Sequence, residues 1–104
     1  NEGRIAVGIQ GLSSAAAAYQ NALHYAKERV QGTAIKNYGQ ADAQPVTINQ
    51  HPDVRRRLMD MRVRVELLRS VCYTTALRLC QAENGDDQNA LALVELMTPI
   101  CKSY

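Results

Sequence analysis

The 104-residue chain has no Trp and no Phe, and it has only six Gly and three Pro. Strands are rich in aromatic and β-branched residues, whereas Gly and Pro interrupt helices. These absences therefore disfavour an extensive sheet and permit long helices. Frequent alanine, with leucine, valine, isoleucine and methionine as the large apolar residues, points the same way. The length suffices for one domain, with a thin stability margin.

The chain also lacks a strong net charge, a long apolar run and paired cysteine motifs. Its net charge of +2 is too small to indicate nucleic acid as a partner. No apolar run could span a bilayer, and no signal peptide is recognisable. Cys72, Cys80 and Cys101 show neither CxxC nor zinc-ligand spacing, so we expect reduced, buried thiols in a reducing compartment. Together these features predict a cytoplasmic protein.

Apolar residues recur at steps of three and four along three segments, which predicts helices at about 2–31, 52–82 and 87–103. A polar loop at 33–50 separates the first two helices, and loops of this length are often functional. Gly32 can end the first helix in the left-handed conformation. The predicted fold class is all-α, with three long helices forming most of an up-down four-helix bundle.

The third predicted helix carries signals at its start and in its interior. Asp86 or Asp87 can cap it, and Pro99 should remove one backbone hydrogen bond and kink it.

The chain does not begin with Met, and the last helical pattern stops without a capping signal. We therefore expect the sequence to be a piece of a longer protein.

Two apolar stripes run along the second predicted helix. The longer stripe consists of Val54, Leu58, Met61, Val65, Leu68, Cys72, Thr75, Ala76 and Leu79. The shorter one consists of Val63, Leu67 and Val71. A helix with two apolar faces needs two partners, one in the bundle and one in a neighbouring domain or subunit. We therefore expect that the chain is not a strict monomer.

Arginines crowd the same helix, at Arg55, Arg56, Arg57, Arg62, Arg64, Arg69 and Arg78. They are compatible with a solvated polar face whose arginine stems cover apolar surface, or with a contact to a phosphate group or another domain. Asp60 and Glu66 interrupt the positive charge. No aromatic residue within the cluster offers a stacking surface, which argues against nucleic-acid binding.

The sequence shows no constellation for catalysis or metal binding. His24 is expected on the surface or packed against a neighbour. His51 stands at a helix start, where either a ligand role or a structural role is possible. No second His or Cys lies close enough in sequence to suggest a metal site. No carboxylate pair suits acid–base chemistry, and GxSxG, P-loop and GxGxxG motifs are absent.

Five segments follow one another in the order and spacing of a single helical domain. They are RIAVG at 4–8, AYQNALHYAKERVQG at 18–32, HPDVRR at 51–56, LMDM at 58–61 and LVELMTPICK at 93–102. Together they resemble the C-terminal helical domain of flavin-dependent acyl-CoA dehydrogenases. The resemblance covers the whole chain, so residues 1–104 are interpreted as part of that domain.

The resemblance implies a function in fatty acid metabolism. Members of the family oxidise an acyl-CoA to the trans-2-enoyl-CoA: a glutamate removes the α proton, and FAD accepts the β hydride. Electrons leave through an electron-transfer flavoprotein. The family assembles as homo-oligomers, so a dimer or tetramer is expected. This chain would supply the bundle, the oligomer interface and contacts to FAD and acyl-CoA.

The resemblance also implies site residues. The acyl-CoA contact falls on 1–4, with Arg4 as the best match, and the FAD contact falls on Arg29, beside Val30 and Gln31. A second flavin contact falls on His51 and the residue after it. Many relatives have glutamine at that next position, where this chain has proline, so a side-chain bond is lost there.

No catalytic residue is expected within the chain. One branch of the family has its base immediately before the arginine that matches Arg4, where this sequence has Gly3. Glu2 points about 100° around the helix from that position. The base is therefore expected outside these residues.

Two other functions are compatible with the pattern. One is a stand-alone helical interaction module whose basic face binds a partner helix or a polyanion. The other is a relative of the acyl-CoA oxidase type, which shares the bundle.

Overall fold

The computed structural model describes residues 2–85 and 87–103. It contains three long helices, α1 (Glu2–Glu28), α2 (Pro52–Gly85) and α3 (Gln88–Ser103), and two short 3-10 turns, Ile35–Asn37 and Ile48–Gln50. Over the described residues no strand forms, and one isolated antiparallel bridge joins Val30 and Thr47. The predicted all-α fold class with three long helices is confirmed.

The chain divides into two compact units that share α1 and α2. The first contains the start of α1 up to Ala16 and everything from Arg64 onward, and the second is Ala17–Val63. The first unit therefore holds the larger part of α2 and all of α3. The second holds the end of α1, the long loop and the beginning of α2.

Three buried residues of the first unit, Val65, Cys72 and Thr75, lie on the longer stripe predicted for α2. Its other buried residues are Ile5, Gly8 and Leu12 on α1, and Ala90, Val94, Thr98 and Cys101 on α3. The two buried threonines keep their hydroxyls satisfied within their own helices. Thr75 Oγ1 donates to the Val71 carbonyl at 2.7 Å, and Thr98 Oγ1 donates to the Val94 carbonyl at 2.6 Å. Both hydroxyls can therefore be buried without the cost of an unpaired polar group.

A close approach between α1 and α3 occurs at Gly8, inside the first unit. A Cβ atom at this position would lie 2.7 Å from the Cys101 carbonyl oxygen. No real side chain tolerates such a distance to backbone, so only glycine permits this spacing of the two helices. Gly11, one turn later in α1, has no heavy atom within 4 Å of the equivalent point.

The first helix ends at Glu28, whereas the sequence predicted an end near residue 31. The following residues pair with a distant part of the loop: Gln31 N donates to Val46 O at 3.0 Å, and Ile48 N donates to Arg29 O at 2.8 Å. This pairing competes with further helical turns. Gly32 is left-handed as expected, with φ of 72°, but it lies in the turn beyond the helix.

The junction between α2 and α3 differs slightly from the prediction. α2 continues to Gly85, past the predicted end near 82. Asp87 caps α3, since its Oδ1 accepts hydrogen bonds from Asn89 N at 3.0 Å and Ala90 N at 3.2 Å. The other proposed cap, Asp86, lies outside the described residues. α3 continues through Pro99 to Ser103.

The shorter stripe of α2 is largely uncovered. Val63 is 57% exposed and Leu67 is 51% exposed, while Val71 is half-buried. Within 2–85 and 87–103, no helix has both the length and the apolar character needed to cross a membrane.

Candidate functional site

A short backbone ribbon organises the second unit. It forms where residues 29–32, just after α1, pair with residues 46–48 in antiparallel fashion. The Gln31–Val46 and Ile48–Arg29 hydrogen bonds are joined by a third, in which Val46 N donates to Gly32 O at 2.9 Å. Thr47 also donates its hydroxyl to Asn49 Oδ1 at 2.6 Å, which steadies the chain as it enters α2. The ribbon thus fixes both ends of the long loop.

His51 joins this ribbon to the start of α2. Its Nε2 lies 2.6 Å from the carbonyl oxygen of Gln31. A carbonyl can only accept, so Nε2 carries the proton in this contact. The backbone carbonyl of His51 accepts the Arg55 N–H at 3.0 Å, inside the first turn of α2. His51 therefore contacts the ribbon through its side chain and the first turn of α2 through its backbone carbonyl.

Arg29 emerges from the same ribbon. Its backbone N–H continues the α1 pattern by donating to Tyr25 O at 2.8 Å, and its carbonyl belongs to the ribbon. The side chain is exposed, and no described residue forms an ion pair or hydrogen bond with it. A planar guanidinium on a fixed backbone is suited to bidentate binding of a phosphate or carboxylate.

The structure brings three of the four predicted site residues together. Arg29, Gln31 and His51 all belong to the ribbon and its closure in the second unit. Arg4 is exposed on the first turn of α1, which belongs to the first unit. Beside it, Gly3 has open space around its Cα. Asn1, the first residue of the predicted acyl-CoA contact, lies outside the described residues.

A cleft of about 260 Å³ also lies in the second unit. Its lining combines apolar and cationic side chains from Tyr19, Leu23, Asn49, Arg55, Leu58, Met59 and Arg62. Sites for drug-sized ligands usually measure about 300–1,000 Å³. The cleft is therefore too small to enclose a dinucleotide, although it could hold part of one.

Much of the arginine cluster is engaged in local ion pairs along α2. Asp53 lies 2.9 Å from Arg56 and 3.4 Å from Arg57, and Arg69 lies 3.0 Å from Glu66. Exposed pairs of this kind contribute about 0–1 kcal/mol each. This pattern is typical of the solvated polar face considered above.

The cysteines divide into a buried pair and an exposed residue. Cys72 and Cys101 are buried as expected, but Cys80 is exposed, so that expectation was wrong. Cys101 Sγ donates to Thr75 Oγ1 at 3.4 Å. Burial raises the pKa of the Cys72 thiol, and the charge of Cys101 and a hydrogen bond to it raise that pKa further. In the described part of the chain, no group of three His, Cys, Asp or Glu side chains could hold a metal.

Sequence reasoning missed the second half of the ribbon. Val46, Thr47 and Ile48 form a short β-branched run inside a segment that was treated as featureless loop. Such residues favour extended backbone, and this run was the available signal. Its partner, the segment 29–32, lies more than ten residues earlier in the chain and could not be predicted from a local pattern.

Comparison with known proteins decides the family. The family model described as acyl-CoA dehydrogenase, C-terminal domain, matches residues 1–99. The chain belongs to the acyl-CoA dehydrogenase family. The resemblance found in the sequence is thereby confirmed, and the ribbon and its neighbours are features of an acyl-CoA dehydrogenase C-terminal domain.

Relatives of this acyl-CoA dehydrogenase domain include three bacterial enzymes. A 3-methylmercaptopropionyl-CoA dehydrogenase from Ruegeria pomeroyi is 39% identical over 97% of the chain. A broad-specificity linear acyl-CoA dehydrogenase from Mycobacterium tuberculosis is 36% identical over 97% of it. A butyryl-CoA dehydrogenase from Syntrophomonas wolfei is 32% identical over all of it. The chain spans 17% of the length of each of these relatives.

Proposed function

We propose that this chain is part of a flavin-dependent acyl-CoA dehydrogenase that oxidises acyl-CoA to trans-2-enoyl-CoA in the cytoplasm. The proposal is supported by the family match over residues 1–99 and by relatives whose names are those of acyl-CoA dehydrogenases. The chain contributes the helical bundle, part of a homo-oligomer interface, and contacts to FAD and acyl-CoA. Electrons pass to an electron-transfer flavoprotein.

The clustering of Arg29, Gln31 and His51 at the ribbon is the observation that carries the cofactor contact. The residues fit an anionic dinucleotide: an exposed guanidinium without a protein partner among the described residues stands on a hydrogen-bonded backbone. In this proposal Arg29 holds a phosphate oxygen of FAD, with the exposed Gln31 amide beside it. When bound, FAD supplies a hydride acceptor. The cleft in the same unit is too small for a whole dinucleotide, so in this proposal other parts of the protein enclose the rest of the cofactor.

Arg4 is the proposed contact to the CoA portion of the substrate. It is exposed on the first turn of α1, where its guanidinium can form charge-assisted hydrogen bonds with phosphate. The neighbouring position is occupied by Gly3, which has no side chain to accept a proton. We therefore assign the general base to residues outside this chain.

Substitution of Arg29 in the intact flavoprotein tests the proposal directly. We expect Arg29→Ala to weaken FAD binding about 10- to 100-fold, because a hydrogen bond to a charged group contributes about 1.5–3 kcal/mol. Arg29→Lys should lose less, since it keeps the charge and loses the planar fork. The affinity is measured by titrating the apoprotein with FAD and following flavin fluorescence.

Arg57→Ala is the matched control, because Arg57 is exposed and pairs with Asp53 at 3.4 Å. It should leave FAD affinity unchanged. If Arg29→Ala binds FAD as tightly as the wild type, the proposed contact is wrong.

A dehydrogenase and an acyl-CoA oxidase are distinguished by measuring which acceptor takes the electrons. The names of the relatives favour a dehydrogenase. We expect the intact protein to reduce an artificial electron acceptor with acyl-CoA while producing little peroxide in air. Rapid peroxide formation would favour the oxidase.

A further inference from the structure

We propose that His51 is a positioning residue: it holds the Arg29–Gly32 segment in place and thereby aims Arg29, without itself binding the cofactor. The part that concerns Arg29 and FAD rests on the proposed function. The part that concerns the ribbon does not, because it is argued from contacts within the second unit.

His51 contacts a carbonyl group that the ribbon itself does not use. The ribbon uses the carbonyls of Arg29 and Gly32, whose partners are the amides of Ile48 and Val46. The carbonyl of Gln31, between them, is the one that accepts from His51 Nε2, at 2.6 Å. A side chain thus completes the hydrogen bonding of the segment on which Arg29 stands.

The tautomer that this contact requires argues against a direct bond to the cofactor. With its proton on Nε2, a neutral imidazole has only a lone pair at Nδ1. Phosphate oxygens are also acceptors, so the Nε2 proton that is donated to the Gln31 carbonyl is not available to a pyrophosphate. The ring can serve the site by ordering the backbone.

Packing confines the ring as well. A Cβ on Gly32 would lie 3.3 Å from both Cε1 and Nε2 of His51, so the imidazole lies close against the turn. Gly32 also has φ of 72°, a conformation that residues with side chains rarely adopt. The glycine therefore permits both the turn and the approach of the ring.

His51 lies where the long loop meets α2, so its contact with Gln31 joins the two ends of that loop. The Gln31 contact spans twenty residues and closes the loop that separates α1 from α2. The His51 carbonyl is bound within the first turn of α2. Loss of the side-chain bond should therefore free one side of the ribbon while the helix start is retained.

The test compares two side chains of similar size in the intact flavoprotein. His51→Gln keeps an N–H donor at a reach similar to Nε2, whereas His51→Met removes it. His24→Met is the matched control, because His24 is an exposed histidine in the same unit. Two quantities are measured: amide hydrogen exchange of the flavin-free protein, followed over residues 29–50 by mass spectrometry, and the affinity of the apoprotein for FAD.

We expect His51→Met to speed exchange at Gln31, Val46 and Ile48 by up to about tenfold, as expected for the loss of one hydrogen bond. FAD affinity should fall by a similar factor. His51→Gln should retain most of both properties, and His24→Met should match the wild type. Exchange in α3 serves as the internal standard for global folding.

Several results would overturn the proposal. Unchanged exchange over residues 29–50 in His51→Met would show that His51 does not hold the ribbon. Faster exchange with unchanged FAD affinity would refute the positioning of Arg29, provided that Arg29→Ala itself weakens binding. If Arg29→Ala has no effect, the proposed cofactor contact fails and the ribbon result still stands. If His51→Met also loses protection in α3, His51→Gln decides: loss of ribbon protection in that variant would refute the role of the donor.

Discussion

At the scale of single residues, Gly8 sets the distance between α1 and α3. We expect Gly8→Ala to lower the free energy of unfolding by about 1–3 kcal/mol, the usual cost of overpacking, because its methyl group would meet the Cys101 carbonyl 2.7 Å away. Urea denaturation followed by circular dichroism measures the change.

Gly11→Ala is the control from the same helix. This position has no heavy atom within 4 Å of the added Cβ. Alanine there should raise the free energy of unfolding by about 0.5–1 kcal/mol, because it restricts the unfolded chain more than glycine does. If Gly8→Ala and Gly11→Ala change the free energy of unfolding equally, the close contact at Gly8 does not affect stability.

The buried thiol of Cys72 predicts a pH dependence of stability. Its pKa is raised by burial, and further by Cys101, so the folded state disfavours the thiolate. The stabilisation is therefore complete below the unfolded-state pKa, about 8.5, and is lost as pH rises from there through the folded-state pKa. Over that range the loss approaches about 1.4 kcal/mol per pH unit.

Unfolding measured in urea between pH 7 and pH 10 checks this prediction. Cys72→Ala should flatten the decline at alkaline pH, whatever its effect at pH 7. Cys80→Ala is the control, since Cys80 is exposed, and it should keep the slope of the wild type. A Cys72→Ala profile parallel to that of the wild type would contradict the assignment.

The residues of the site were only partly predictable. The family resemblance selected Arg29, Gln31 and His51, and the structure places all three at the ribbon. The resemblance could not predict the separate roles that we propose for Arg29 and His51. The role of His51 depends on its contact with the Gln31 carbonyl, and folding brings these two residues together from positions twenty residues apart.

At the scale of elements, the positions of the helices were predictable because the apolar residues of each helix recur at steps of three and four within its own sequence. On α2, every member of the longer stripe is buried or half-buried, from Val54 to Leu79. Cys80 is exposed because it is one residue past the stripe, about 100° around the helix from Leu79. The end of α1 was missed because a long-range ribbon, invisible to periodicity, ends the helix early.

The start of α3 depends on its cap. We expect Asp87→Ala to lower the free energy of unfolding by about 1 kcal/mol, because Oδ1 accepts from two amides that otherwise have no helical partner. The same substitution at Asp42, which is exposed in the long loop, removes an equal charge without a cap. Chemical denaturation of both variants distinguishes them. If the losses are equal, the effect is one of net charge.

At the scale of the whole molecule, two compact units share two continuous helices. The first unit supplies most of the buried core, whereas in the second only Ala26 is a buried apolar residue, with 2% exposure. The ribbon therefore belongs to the unit with fewer buried residues. Hydrogen bonds such as that of His51 should matter more where apolar burial contributes less to order.

The uncovered stripe on α2 leads to a last prediction, about association. Val63 and Leu67 are 57% and 51% exposed, and their positions four residues apart place them on one face of the helix. Burial of an aliphatic side chain contributes about 1.5–3 kcal/mol, so two of them can drive contact with a second copy or a neighbouring domain. We expect the chain to self-associate with rising concentration in size-exclusion chromatography with light scattering.

The double substitution Val63→Ser and Leu67→Ser should raise the apparent dissociation constant of this association at least about tenfold. Tyr38→Ser, at a residue that is 88% exposed in the loop, should not change it. A strict monomer at every concentration would show that this stripe alone does not drive association of the chain.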